Sequence, residues 1–261
     1  MRKLITAFDE FKRFRFLLAE LVKRGIVKKY RRSYLGVLWT LLEPLLNMMV
    51  LTFVFGTLLG RGDRTYPVFI LSGRLLYSCF ASCTKAGLRS IRTNASMLNK
   101  VYVPKYIYPL SSVIYSYVIF MLSLIVLIVV SLVLGVYPTK YTLMIWLPLL
   151  MLFLLVLGIG TFLATLGVYF RDMEYLWDVV VLLVMYLSAI FYDPEIFFST
   201  GRGWILNWNP LFHIIRLFRS CLFGTPMDMH SLLIASLWCV GSLVLGWFFF
   251  FKKEHEFILH I

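Results

Sequence analysis

Two ionisable residues stand inside otherwise apolar runs of this chain, Glu43 and Arg74. A charge in such a setting is costly and marks a function or a paired partner. The two could pair and lock neighbouring helices together, or they could line a polar path, with Arg74 attracting an anionic phosphate group. Asp178, closer to the end of its run, reads as interfacial. Nothing beside them forms a catalytic constellation. His213, His230, His255 and His260 are isolated, and no G-x-x-x-x-G-K-[ST], H-E-x-x-H or G-x-S-x-G run occurs. A membrane-embedded glycosyl or prenyl transferase would need clustered carboxylates near one membrane face. The nearest acidic pair, Asp172 and Glu174, has no second cluster beside it. Cys79 and Cys83 are four apart and would share a helix face; with Cys221 and Cys239 they read as apolar packing, not as a metal or redox site. The expectation is therefore no catalytic residue, no metal and no cofactor on this chain.

The 261 residues are 61% hydrophobic and 15% charged, with a mean hydropathy of +0.84. A soluble domain carries roughly 25% charged residues. The apolar runs are continuous and do not alternate, which excludes a β-barrel and predicts an all-α polytopic membrane protein. A net charge of +13 would point to nucleic acid in a soluble protein, but here the cations segregate. Nineteen fall in 1–32, in 85–105, at Arg171 and at Lys252-Lys253. Six fall at Arg61, Arg64, Lys140, Arg202, Arg216 and Arg219. That asymmetry puts both termini in the cytoplasm. It leaves no case for a nucleic-acid partner.

Residues 1–32 alternate charge and apolar side chains, so an amphipathic interfacial helix over 4–26 is expected and a cleavable signal peptide is not. Phe11, Phe14, Leu18, Leu21, Val22 and Gly25 form its apolar stripe, while Phe16 and Leu17 fall among the polar residues. Such a helix can lie in the headgroup layer with its cations toward anionic lipid, or offer a docking surface, or both. Six spans follow, at about 35–59, 66–84, 107–134, 143–170, 176–191 and 231–251, each long enough to approach the roughly 20 residues that a bilayer core requires. Pro44 is expected to kink the first. Residues 192–228 are too apolar for an ordinary loop and too often broken by Gly and Pro for a span, so a pair of short outer or re-entrant helices is expected there. The whole chain, 1–261, reads as a single transmembrane domain.

Two surfaces stand out. The cytoplasmic loop 85–105 holds Lys85, Arg89, Arg92, Lys100 and Lys105 with no acidic residue, which is either positive-inside topology alone or a docking surface for a cytosolic partner. The outer half gathers Tyr66, Tyr186, Phe191, Tyr192, Trp204 and Trp208, with Tyr77 deeper. These are either interfacial belt residues or rings for the C–H faces of sugars.

The segment Tyr30-Arg31-Arg32-Ser33-Tyr34-Leu35-Gly36-Val37-Leu38-Trp39, followed by Glu43-Pro44, resembles the entry to the first span in the membrane subunits of ABC-2 type exporters, in the branch that handles O-antigen, capsule or teichoic acid. Leu98 to Pro104, Tyr169 to Met173, and Asn209-Pro210-Leu211-Phe212 with Arg219 and Gly224 resemble that family in the same order. Ser188-Ala189-Ile190 departs from it, the family commonly having proline after the serine. The resemblance implies a homodimer of six-span subunits in a bacterial inner membrane, docked on two nucleotide-binding ABC ATPase subunits that hold the ATP and Mg. Its dimer interface would be lined by the first and fifth spans, and 194–225 would gate the exit. The coupling helix would lie around Arg89 to Lys100, so Arg89, Arg92, Asn99 and Lys100, with Arg171 and Asp172 of the later turn, are the expected ATPase-coupling residues. Charge reversal at Arg92 or Lys100 is then expected to uncouple transport. The cargo implied is a glycan or polyol-phosphate polymer on undecaprenyl pyrophosphate or a similar lipid, passing Arg74, Glu43 and the outer aromatics. A drug or lipid exporter is the alternative within the class.

Overall fold

The structure, a computed structural model, describes residues 2–31, 34–58, 63–98, 103–199, 201 and 203–257, with side chains from residue 14 onward except 196 and 198. Helix α1 (Arg2–Tyr30) packs its apolar side on the start of α5 (Ile107–Val133). Gly25 permits that contact, since a Cβ there would lie 2.8 Å from Cδ1 of Tyr115. Phe14, Leu17, Leu18 and Leu21 face the bundle, while Phe16 is 75% exposed. Leu17 thus leaves the polar side assigned to it from sequence, because packing against α5 selects a broader stripe than the sequence did. The helix also runs on to Tyr30, beyond the expected end at 26.

Helix α2 (Trp39–Leu58) continues through Pro44, its sixth residue, which leaves one carbonyl of the preceding turn without its helical donor. Helix α3 (Tyr66–Thr93) starts with Pro67 in its first turn, where no donor is needed. It does not stop at Thr84. The polar residues from Lys85 onward continue the same helix, so the expected loop 85–105 is for its first nine residues a helical extension of the second span. A break at Asn94 precedes the short α4 (Ala95–Leu98). Asn99 and Lys100 lie outside the described residues.

After α5, a 3-10 turn at Lys140–Met144 leads into α6 (Trp146–Tyr169). Helix α7 (Met173–Tyr186) then has 14 residues. At 1.5 Å per residue that is about 21 Å, short of the roughly 30 Å hydrocarbon core. Among the described residues, five helical stretches are long and apolar enough to cross a membrane, where six were expected, and the shortfall is at α7, which ends at Tyr186 instead of Phe191. Beyond it come α8 (Glu195–Ser199), α9 (Gly203–Asn207) and α10 (Pro210–Phe223), three helices where a pair was expected. Helix α10 is the most deeply buried of these. Asn209 caps it by accepting from the Leu211 N–H at 3.0 Å, and Gly224 ends it in the left-handed conformation (φ +75°). Helix α11 (Met229–Lys253) closes the bundle, capped by Asp228 and ended by Lys252 and Lys253.

One core fills the bundle around α3, α5, α6, α10 and α11. A second lies at the opposite end, where Phe250 and Phe257 pack with Leu98, Tyr106, Tyr108 and Val168 against the apolar side of α1. The helices of the main core cross at bare backbone. A Cβ on Gly87 of α3 would lie 2.7 Å from Cα of Gly160 in α6, and one on Gly246 of α11 would lie 2.2 Å from the Gly158 carbonyl oxygen. Small residues at such crossings let helix backbones meet where apolar solvent supplies no other drive to associate. Gly246→Leu should therefore force α6 and α11 apart and cost about 2 kcal/mol or more. Gly241→Leu on the same helix, beside which nothing lies within 4 Å, should leave the thermal unfolding midpoint of the purified protein unchanged.

Candidate functional site

On α3, Arg74, Ser78, Ser82, Lys85 and Arg89 follow at spacings of four, four, three and four, which is one face of a helix. The stripe runs from the middle of the apolar segment to its basic end, about 22 Å at 1.5 Å per residue. It borders a cavity of about 700 Å³ enclosed by α1, α2, α3 and α5. Ser112 and Ser116 of α5 and Thr40, Glu43 and Asn47 of α2 supply further polar groups, and Lys28 and Lys29 stand at the α1 side. Hydroxyls and cations outnumber carboxylates here, so the lining suits sugar hydroxyls and phosphate oxygens.

Glu43 and Arg74 both border this cavity, but among the described residues no ion pair joins them. The helix-locking alternative is thereby corrected. The Arg74 guanidinium instead lies 5.1 Å from the Tyr77 ring centroid, and its Nη1 is 3.4 Å from Sδ of Met185 on α7. Arg89, which is exposed, and Arg92, which is half-buried, share one carboxylate. Arg89 Nε donates to Oε2 of Glu174 at 2.9 Å, and Arg92 Nη2 donates to Oε1 of the same carboxylate. One turn further, Lys85 pairs with Asp178 at 2.8 Å, which makes that aspartate a structural partner. Arg171 and Asp172 occupy the exposed turn before α7.

The outer aromatics divide into two groups. Tyr66 and Phe191 are buried, and Phe191 stacks on Phe55 of α2 at 4.7 Å. Tyr77 is buried beneath Arg74. Tyr192 stacks on Phe197, and its hydroxyl donates to the Tyr186 carbonyl at 2.6 Å, while the Tyr186 ring is exposed. Trp204 and Trp208, four residues apart, are exposed at 64% and 70%, far more open than the other two rings of the outer set that are buried.

The burial of Tyr66 and Phe191 belongs to a different structure, the chain break after α7. Helix α7 leaves unpaired carbonyls at its end, and side chains from elsewhere take them. Asn209 Nδ2 donates to Leu187 O at 3.0 Å, and the Tyr66 hydroxyl donates to Phe191 O at 2.8 Å. Arg219, counted from sequence as an outer cation, is buried at the centre. Its Nη1 donates to Ala189 O at 2.9 Å, and its Nη2 to Ile190 O at 3.0 Å and Phe69 O at 2.9 Å. The guanidinium lies 3.4 Å over the Phe69 ring. Ala189 holds φ +47°, which proline with its φ near −65° could not adopt, so the departure at this position from the family pattern carries a conformation of its own.

His213, isolated in sequence, is not isolated in the fold. It is fully buried, with Nδ1 3.0 Å from Ser231 Oγ and Nε2 3.1 Å from Asn207 O, and it joins α9, α10 and α11. Beside it Asp228 balances opposed effects. Burial raises its pKa, but the Ser231 hydroxyl, Arg216 and the N–H groups of His230 and Ser231 outweigh this and hold the carboxyl below its ordinary value.

The sequence reading missed the hydroxyl stripe, Glu174 and Arg219. The stripe had a signal, the four-four-three-four spacing, hidden by ending the span at Thr84. Glu174 and Arg219 had none, because their roles depend on which helix lies opposite.

Arg219→Gln and Arg219→Lys should both destabilise the purified protein by about 3 kcal/mol or more, since the Gln amide has only two N–H donors and the Lys ammonium, though it has three, is a single point that can neither span carbonyls set across a planar fork nor stack flat on Phe69. Gly73→Ala should do the same without touching the charge, because its Cβ would lie 2.6 Å from Nη2 of Arg219. Thermal unfolding, with limited proteolysis at 187–193 as a local readout, checks all three.

The sequence profile described as ABC-2 type transporter matches residues 17–223. Over 248 residues the chain is 26% identical to the O-antigen export system permease protein RfbA of Myxococcus xanthus, covering 92% of this chain and 95% of that one. It is 25% identical to the polysialic acid transport protein KpsM of Escherichia coli over 90% of this chain and 92% of that one. It is 26% identical to the capsule polysaccharide export inner-membrane protein CtrC of Neisseria meningitidis serogroup B, over 83% of each.

Proposed function

The chain belongs to the ABC-2 type transporter family, and we propose that it is the membrane subunit of an ATP-driven exporter of a cell-surface polysaccharide. The observation that carries this reading is the polar stripe of α3, a hydrophilic path from Arg89 to Arg74 within an apolar bundle. Relatives named for O-antigen, polysialic acid and capsule support the cargo class. A sugar chain needs hydroxyl and amide partners along its length, and a lipid-linked phosphate needs cations; the cavity has both. On this reading the subunit sits in a bacterial inner membrane with both termini in the cytoplasm. The sixth crossing is completed by α7 together with the outer segment α8–α10, which forms the gate. Trp204 and Trp208 offer exposed rings to sugar at the exit. Teichoic acid-type polymers fit the same chemistry.

No phosphate-binding loop occurs in the sequence, so the fuel site belongs on a separate ABC ATPase. The complex is proposed as two of each chain. Two exposed apolar faces, on α2 (Leu46, Met49, Val50, Phe53) and α7 (Leu176, Val179, Leu183), fit a dimer interface.

Gentle extraction of the tagged chain should bring down an ATPase with a phosphate-binding loop at equal stoichiometry; recovery of the chain alone would overturn the reading. Arg74→Ala should lower surface polymer on the order of tenfold at an unchanged membrane level of the protein, and Arg74→Lys should retain part of it, because a point charge replaces some of a guanidinium's role. Surface immunoassay of the polymer in a complemented deletion strain measures both.

A further inference from the structure

Helix α7 is held to the bundle along one narrow edge. Among its residues only Val181 is buried, and its partners are α3 and, through the short turn at 170–172, α6. The edge consists of Glu174, Trp177, Asp178, Val181 and Met185, at spacings of three, one, three and four. Each polar member meets α3. Glu174 takes both Arg89 and Arg92, Asp178 takes Lys85, and Trp177 Nε1 donates to Thr84 Oγ1 at 3.0 Å while its ring lies against Phe80 at 6.3 Å. The opposite face, with Tyr175, Leu176, Val179, Leu182 and Leu183, is exposed. Three of these contacts use the part of α3 beyond Thr84, the basic extension that leaves the apolar segment.

This arrangement has a mechanical meaning. Apolar contacts between helices allow sliding, whereas a carboxylate gripped by two guanidinium groups from successive turns fixes register as well as distance. A second ion pair one turn away, Lys85 with Asp178, is more exposed and adds a weaker restraint on rotation. With little other burial, α7 has to follow whatever the extension of α3 does.

We propose that α7 is a carried helix. Glu174 is the positioning residue that clamps it to the basic extension of α3, so that displacement of that extension is delivered to α7 and, through Met185 against Arg74, to the edge of the α3 groove. This rests on the transport reading, in which the extension faces the ATPase. It reassigns Arg89 and Arg92 from contacts with a partner chain to the transmission within this one.

The test uses the whole complex as isolated from membranes, with spin labels at Thr93→Cys on α3 and Leu182→Cys on the exposed face of α7; the four native cysteines are buried. The distance distribution is read by pulsed electron paramagnetic resonance without nucleotide and with ATP and vanadate. With labelled chains diluted into unlabelled ones so that each complex carries one labelled copy, the parent should give one narrow distribution in both states. Glu174→Arg should broaden it about twofold, and export should fall on the order of tenfold, the loss expected for a charged hydrogen-bonded contact, while ATP hydrolysis continues. Pairing it with Arg92→Glu should restore both. Glu174→Gln, a smaller change, should give an intermediate loss and serves if the reversal does not accumulate. A Glu174→Arg distribution identical to the parent, or a broadened one with normal export, would overturn the proposal. Isolation of the chain with no ATPase would remove the transport reading, and the label widths would still judge the clamp.

Discussion

A buried backbone carbonyl in an apolar slab has to find a donor, and the fold of the outer half of this protein follows from how five of them do so. The helix that ends at Tyr186 exposes carbonyls at 186, 187, 189, 190 and 191, and each receives a side-chain donor. Arg219 supplies two of those bonds and a third to α3. A buried guanidinium is expensive unless its hydrogens are satisfied and its face is covered. Here carbonyls take Nη1 and Nη2 and the Phe69 ring covers the face, while Nε has no hydrogen-bond partner among the described residues, so part of that cost is left standing. Tyr192 serves the carbonyl of 186 locally, but the donors to the other four come from α3, α10 and the residue before α10, so the break cannot form until those elements have docked. The outer segment is therefore a product of tertiary assembly, not of local propensity.

Helix α3 is the common member of both functional regions. It meets α6 at bare glycine backbone, admits Arg219 beside Gly73, presents the polar stripe to the groove, and grips α7 with its basic end. Four sides of one 28-residue helix are thus spoken for. This explains its composition, which is far less apolar than α5 or α6: every polar residue along it has either a partner helix or the cavity to face. The second, smaller core around Phe257 fixes the other end, tying α1 and α4 to the close of α11.

The class of fold was legible because continuous apolar runs and segregated cations admit few alternatives in a bilayer. Spans at α2, α5, α6 and α11 were readable within a few residues, since Pro, Gly and Lys mark their ends. The second span was misjudged at Lys85, where hydropathy fell but helical periodicity did not. Hydropathy reports the solvent around a helix, and the helix itself continued past the change of solvent. The fifth was misjudged at its outer end for the opposite reason. Leu187 to Phe191 is apolar enough to continue a span, yet its backbone is bent by contacts with residues 20 to 30 positions later. Among the candidate residues, Arg74 and Glu43 could be found as misplaced charges, but whether they met each other could not. Glu174 looked like half of an acidic pair with Asp172 until two arginines of another helix were seen to claim it.

Helix α2 contrasts with all of this. It walls the groove with half-buried side chains: among its described ones only Thr40 is fully buried, while Leu41, Leu45, Met48 and Leu51 pack on the edge of the core and Phe55 stacks on Phe191 at the break. A wall packed only at the edge of the core has less to lose on moving than the opposite wall, α3, which is held by neighbours on its other sides. The width of the groove is consequently a soft coordinate bounded by one hard surface. A conduit built this way does not require a bore already as wide as its cargo: the lightly packed wall can yield to what passes while the other stays in place.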